Sequence, residues 1–294
     1  MSSGLTQVDR FVTKPKQYAV MLILSFLLSP QLYSQNHQPH GKFSTASIAD
    51  SETRTKKIRE ELRRYNGDDW AGDYYFGDGL GVNVSLVLAP KSGFVFSWHG
   101  CVGLYDINYG DVAFTNGTIR LLFKYPNKRE GFEGIAPVLL PVRWGERHYL
   151  IDADHVVDFT NAINAGTEPR PSSWFGGSFL LRRGDESKAV TGEPNLPNEF
   201  LSYILPKPIK ANASVESSRI EHSRRMTYVN VDVGRVDGVK EGMKLYVSSP
   251  SSGILDTFVV TKVGEHSATA AIATARACRS CSRSSDWKLS TKLE

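Results

Sequence analysis

Residues 234–247, GRVDGVKEGMKLYV, contain the turn signals that decide how the second half of the chain folds. An Asp-Gly pair that ends at Gly238 predicts a tight turn, and Val239 after it is expected to place an apolar side chain in the core. Residues 243–247 then alternate in the manner of a β-strand. Gly238 and Gly242 are expected to adopt positive φ, because glycine has no Cβ to oppose it.

Strand patterns also flank this turn, with alternating valines over 227–233 and apolar runs over 257–272. They predict a small β-barrel domain over residues 209–275, followed by a basic flexible tail over 276–294. The pattern from Thr227 to Ile272 resembles the barrel module of the rod-shape-determining protein C family. It also resembles the C-terminal domain of a periplasmic flagellar protein that surrounds the motor. Both resemblances imply a barrel architecture in the bacterial envelope, and neither implies a catalytic residue.

The preceding region, residues 50–185, has the period-2 pattern of antiparallel strands joined by short turns. Asn116–Gly117 marks the clearest hairpin, because Asn and Gly accept the positive φ of a two-residue turn. The fold class is therefore predicted as mainly β, with an N-terminal antiparallel barrel or curled sheet, two helices and the small C-terminal barrel. Trp70, Gly72 and Tyr74 resemble the opening strand of lipocalin-like bacterial envelope proteins, which implies that Trp70 plugs one end of the barrel.

The two helices are predicted from apolar residues at helical spacing. Ile58, Leu62 and Tyr65 form one stripe within residues 50–65, and Val156, Phe159 and Ile163 form another. Residues 186–208 contain four prolines among many polar residues, and they are predicted to be a linker between the two domains.

The N-terminus has the pattern of a secretory signal peptide. Residues 1–34 carry a basic start, an uncharged apolar run from Tyr18 to Ser29 and a small residue, Ser34, at a possible cleavage point. An uncleaved anchor is the alternative, but the run is shorter than the ~20 residues that a membrane-spanning helix needs. Residues 35–49 are predicted to be disordered. The protein is thus expected to be extracytoplasmic, either periplasmic or secreted, and not an integral membrane protein after cleavage.

Charge argues against nucleic acid as a partner. Loss of residues 1–34 lowers the formal charge from +4 to +2, whereas nucleic-acid binding usually needs a concentrated basic face. A protein or a glycan of the cell envelope is the expected partner.

One acidic cluster offers the strongest chemical alternative. HYLIDADHVVD contains His148, Asp152, Asp154, His155 and Asp158, and carboxylate with imidazole can bind a divalent ion. A helix cap explains an Asp at 152 or 154 equally well, since Asp is a preferred capping residue.

Other motifs carry weaker chemical signals. GEHS over 264–267 is expected to be a turn, because the members of a catalytic triad come together from distant positions. Cys278 and Cys281 form a C-x-x-C without a second ligand pair, and Cys101 stands alone. An aromatic set is expected to fill the barrel core, with a ligand cavity as the alternative; its members are Trp70, Tyr74, Tyr75, Phe76, Trp98 and Tyr105.

These observations predict a non-catalytic exported envelope protein that acts as a binding or scaffold module. No catalytic residue, cofactor or metal site is assigned. The alternatives are an exported hydrolase or metal-dependent enzyme that uses the Asp152–His155 cluster, and a lipocalin-like carrier of a small ligand.

Overall fold

The computed structural model describes most of the chain beyond the N-terminal region. The described residues are 45–64, 67, 69–77, 79, 81–101, 103–127, 134–167, 179–221, 224–248, 257–274 and 287–293. The predicted signal peptide, residues 1–34, lies outside them. No helix within these ranges is both long and apolar enough to cross a membrane.

The first half of the described chain forms a closed eight-stranded antiparallel barrel, barrel 1, in which each strand pairs with the next along the chain and β8 pairs with β1. Its strands are β1 Gly72–Phe76, β2 Asn83–Ala89, β3 Gly93–Gly100, β4 Gly103–Thr115, β5 Thr118–Phe123, β6 Val138–Trp144, β7 Arg147–Asp152 and β8 Phe179–Arg182. The prediction of a mainly β protein with an N-terminal barrel is confirmed. Asn116 and Gly117 have φ of 52° and 75° and turn β4 into β5, as their sequence predicts.

Large apolar side chains fill the interior of barrel 1 because alternate residues of each strand point inward. Phe94 and Phe96 of β3 and Ile119 and Leu121 of β5 are buried there. Trp70 lies just before β1 and is also buried, with its ring stacked 5.6 Å from that of Phe114.

A long helix, α1 (Thr45–Arg64), packs on the outer face of barrel 1. Ile58 is fully buried against Val87 and Val95, whose side chains point out of the barrel. The prediction of disorder over residues 35–49 is wrong from Thr45 onward. The physical reason is one contact with barrel 1 and one bond within the helix: the Ser47 hydroxyl lies 3.1 Å from that of Tyr125, and Ser51 Oγ donates to the Ile48 carbonyl.

A second helix, α2 (Val156–Asn164), covers the opposite outer face, over β6, β7 and β8. The predicted linker, residues 186–208, follows β8 and lies against the same face, where Leu196 is buried. It contains a third, short helix, α3 (Asn198–Leu201), beyond the two helices predicted from the sequence. Its apolar residues pack beside α2, so the segment is part of the structure around barrel 1.

The last part of the described chain forms a closed six-stranded barrel, barrel 2, in the order β10-β13-β12-β11-β14-β9. Its strands are β9 Lys210–Glu221, β10 Arg224–Val231, β11 Lys244–Val247, β12 Thr257–Val263, β13 Ala268–Thr274 and β14 Trp287–Ser290. Gly238 and Gly242 have φ of 89° and 84°, and Val239 is buried in the core, which confirms the expectations for residues 234–247.

The prediction of a flexible tail over residues 276–294 is wrong for Trp287–Ser290. These residues form β14, which pairs with β9 on one side and with β11 on the other. Leu289 is 1% exposed in the core, and the Trp287 ring lies 5.0 Å from that of Phe258. Four residues are enough to form a stable strand here because both edges of β14 pair with a neighbouring strand.

Candidate functional site

The acidic cluster divides into separate structural roles. Asp152 ends β7 and accepts a hydrogen bond from the Asp154 backbone N–H, so it caps the short 3-10 helix, Ala153–His155, that leads into α2. That is the capping role expected for an Asp at this position. Within the described residues, no group of three or more His, Cys, Asp and Glu side chains could hold a metal ion.

Asp158 joins the cluster to barrel 2. Its carboxylate lies 3.0 Å from Nδ1 of His155 and 2.7 Å from Nζ of Lys244, at the start of β11. Burial alone would raise the pKa of Asp158, but hydrogen bonds from Lys244 and His155 hold it below its ordinary value. The hydrogen bond to Asp158 raises the pKa of His155. Asn161 of α2 adds two bonds, donating to the Gly242 carbonyl and accepting from the Lys244 N–H.

This junction predicts a stability that depends on pH. The ionised Asp158 contributes to the free energy of unfolding at pH values above its ordinary pKa, and this contribution is lost as the pH falls through its lowered folded-state pKa. The contribution of His155 exists below its ordinary pKa and is lost as the pH rises through its raised value. Asp158→Asn should therefore cost most between about pH 4 and about pH 6.5. Since both groups are partly exposed, we expect about 1 kcal/mol at most.

Thermal unfolding of wild type and Asp158→Asn from pH 3 to pH 9 measures this difference. Asp154→Asn is the matched control, because Asp154 is exposed and makes no ion pair among the described residues. A cost of Asp158→Asn that stays constant across the whole range would contradict the ionic account.

His148 does not join the other members of the cluster. It lies on β7, and its Nδ1 is 2.8 Å from the buried carboxylate of Asp185, which also pairs with Lys188 at 2.5 Å. Burial alone would raise the pKa of Asp185, but hydrogen bonds from Lys188 and His148 hold it below its ordinary value. Arg147 donates to the Lys188 and Glu186 carbonyls. These bonds fasten the turn after β8 to barrel 1.

The remaining motifs take mainly structural positions. GEHS, residues 264–267, connects β12 to β13, as predicted. Of the aromatic set, Trp70, Tyr74 and Phe76 are buried in the barrel core, Trp98 is half-buried against it, and Tyr75 packs on the outer face beneath α2. The Tyr74 hydroxyl is buried without a hydrogen-bond partner in the described part of the chain, and burial raises its pKa to about 12. Cys101 is exposed, and Cys278 and Cys281 lie outside the described residues.

A cleft between α1 and barrel 1 is a candidate binding site. Its cavity volume is about 500 Å³, within the range of small-molecule sites. It is polar, and it is formed by one face of α1, the β2–β3 turn, β4 and the end of β5. The residues that line it are Asp50, Thr53, Arg54, Lys57, Lys91, Ser92, Tyr109, Asp111 and Lys124.

Hydrogen bonds across the cleft hold its floor in place. Arg54 Nη1 donates to the carbonyls of Ser92 at 3.2 Å and Gly110 at 2.7 Å. Glu61, two turns further along α1, accepts hydrogen bonds from the backbone N–H groups of Lys91 and Ser92. The helix and the β2–β3 turn are thereby joined, so the cleft exists before any ligand binds.

Sequence reasoning did not find this site. Asp50, Thr53, Arg54 and Lys57 have the spacing of one helix face, and that signal was present in the sequence. Lys91 and Lys124 lie far along the chain, however, and only the pairing of β3, β4 and β5 and the packing of α1 on these strands bring them beside the helix.

Comparison with known proteins gives no family for this chain: no protein-family model matches it, and neither does a curated protein or a solved structure.

Proposed function

We propose that this protein is a non-catalytic binding module of the cell envelope, exported by its N-terminal segment, and that the cleft beneath α1 is its binding site. The observation that carries the proposal is the cleft itself. Arg54 forms part of its floor and Glu61, beside the cleft, holds the β2–β3 turn, while the lysine side chains at its rim make no ion pair among the described residues. A preformed floor lowers the entropic cost of binding, which is why such a site favours recognition.

The two barrels support a scaffolding role in the same proposal. Asn161 and Asp158 of α2 bind Gly242 and Lys244 at the start of β11, and the Leu293 N–H donates to the Ala165 carbonyl just after α2. Contacts from β11 and from the segment after β14 therefore meet α2. A ligand bound at barrel 1 would therefore lie at a fixed distance and orientation from the surfaces of barrel 2.

The alternative functions draw less support from the described side chains. Of the proposed hydrolytic cluster, Asp152 caps the 3-10 helix, His155 pairs with Asp158, and His148 pairs with Asp185 instead. The interior of barrel 1, where a carrier would hold its ligand, is occupied by Phe94, Phe96 and Ile119.

A steric block of the cleft tests the proposal without changing charge. Protein lacking residues 1–34 is immobilised and incubated with fractionated bacterial envelope, and retained proteins and glycans are identified by mass spectrometry. Thr53 is exposed and lines the cleft, so Thr53→Trp should abolish retention of the specific component. Ala49→Trp places the same ring on an exposed position of α1 that does not line the cleft, and it should retain that component.

Two results would count against the function. Wild-type protein that retains nothing beyond a blank resin would refute the binding proposal. Equal retention by wild type and Thr53→Trp would show that the cleft is not the binding site.

A further inference from the structure

Cationic side chains outnumber anionic ones in the cleft beneath α1. Arg54, Lys57, Lys91 and Lys124 line it, against two carboxylates, those of Asp50 and Asp111. Glu61 lies next to the cleft, but its carboxylate is bound to the backbone of the β2–β3 turn. The cleft therefore carries a local excess of positive charge, within a chain whose formal net charge is +4.

Both carboxylates already have partners within the protein. Asp111 accepts from Arg54 Nη1 at 3.1 Å, and Asp50 accepts from the Tyr109 hydroxyl at 3.2 Å. Hydrogen bonding to Tyr125, burial and the bond to Asp50 raise the pKa of Tyr109, so it stays a donor at neutral pH. The two negative charges are thus bound to groups that form the floor of the cleft.

The three lysines of the cleft differ from Arg54, which is paired with Asp111. Lys57, Lys91 and Lys124 are exposed, and none has an ion-pair partner in the described ranges. They come from α1, from the β2–β3 turn and from the end of β5, so their charges reach one cavity from three directions. Lysines on separate elements around a fixed floor are suited to a ligand with more than one anionic group.

We infer that the cleft binds a polyvalent oxyanion, a ligand that carries two or more phosphate or carboxylate groups. This inference rests on the proposed function, which makes the cleft the binding site, and it adds the chemical class of the ligand. Ammonium groups bind anionic oxygens of either kind as point charges, without the planar fork by which arginine distinguishes them. Because the lysines are exposed, the affinity should fall as salt is raised.

Calorimetric titration of the protein lacking residues 1–34 tests the inference, at low salt and with defined probes. Tripolyphosphate represents a free phosphate ligand, a carboxylated oligosaccharide represents an acidic glycan, and neutral dextran is the negative control. The double variant Lys57→Gln/Lys124→Gln should bind the preferred anion ~10-fold more weakly, since each exposed charge contributes a modest amount.

The matched control is Lys207→Gln/Lys262→Gln, which removes two exposed lysines that do not line the cleft. It should bind as tightly as wild type, and thermal unfolding should show that both variants are folded. Tripolyphosphate binding that depends on the cleft lysines supports the inference with a phosphate ligand, and binding of the oligosaccharide with the same dependence supports it with a carboxylated glycan.

Two outcomes would overturn the inference. One is that neither anion binds, and the other is that the control variant weakens binding as much as the cleft variant. If Thr53→Trp still abolishes envelope retention in either case, the cleft remains a binding site and only its anionic ligand class is wrong.

Discussion

Removal of residues 287–294 should open barrel 2 and leave a protein that aggregates. These residues include β14, which closes the barrel between β9 and β11. Without β14, β9 and β11 lose their partner along Lys210–Ala213 and Tyr246–Val247, and unpaired strand edges promote association between chains. The Thr291 hydroxyl, which accepts from the Ile209 N–H at 3.0 Å, would be lost as well.

A point substitution tests the same strand with less disruption. Leu289 is 1% exposed and packs in the core of barrel 2, so Leu289→Ala should cost ~2–5 kcal/mol. Scanning calorimetry would measure this cost, and size-exclusion chromatography would detect aggregation of the truncated chain.

Lys288→Gln/Lys292→Gln is the control for this strand. Both lysines are exposed, so their loss should leave unfolding unchanged, because the segment acts through pairing and burial. A truncated protein that stays monomeric, with the unfolding transition of wild type, would show that β14 is dispensable.

The substitution Gly110→Ala should destabilise barrel 1 severely. Gly110 lies on β4 opposite Phe94 of β3, and a Cβ at this position would overlap the backbone carbonyl oxygen of Leu122. Backbone atoms of a paired strand cannot move aside as a side chain can. We therefore expect a loss of ~3 kcal/mol or more, at the upper end of the usual cost of overpacking.

The same change affects the candidate cleft, because the Gly110 carbonyl accepts a hydrogen bond from Arg54. Near-UV circular dichroism, which reports on the packed aromatic rings of barrel 1, should show melting ~10 °C earlier. Gly81→Ala is the control, since no atom lies within 4 Å of its added Cβ and its φ is not positive. Equal melting temperatures for wild type and Gly110→Ala would show that β4 and β5 can separate there without cost.

Local patterns were enough to predict the turns and the residues that share a strand face. Asn116–Gly117, Gly238 and Gly242 adopt positive φ because the chain must reverse where few other residues can follow. Phe94 and Phe96 share one face of β3, since alternate side chains of a strand point the same way. Such features depend on a few neighbouring residues, so the sequence shows them directly.

The sequence could not show which face of a strand lies inside the barrel and which lies beneath a helix. Both faces of β6 carry apolar residues: Leu139 points into barrel 1, whereas Leu140 and Val142 lie on the outer face against α2. An apolar run favours burial on both faces, and only the position of α2 decides what covers each one.

The sequence by itself thus determined a mainly β chain, its turns and the approximate extent of two barrels. Tertiary structure alone decided that Trp287–Ser290 is a barrel strand. Four residues in a basic region form a stable strand here because they pair with β9 on one side and with β11 on the other. It also decided that Lys57, Lys91 and Lys124 line one cleft. Their proximity results from the pairing of β3, β4 and β5 and from the packing of α1 on the barrel, which join residues distant along the chain through contacts that no local pattern records.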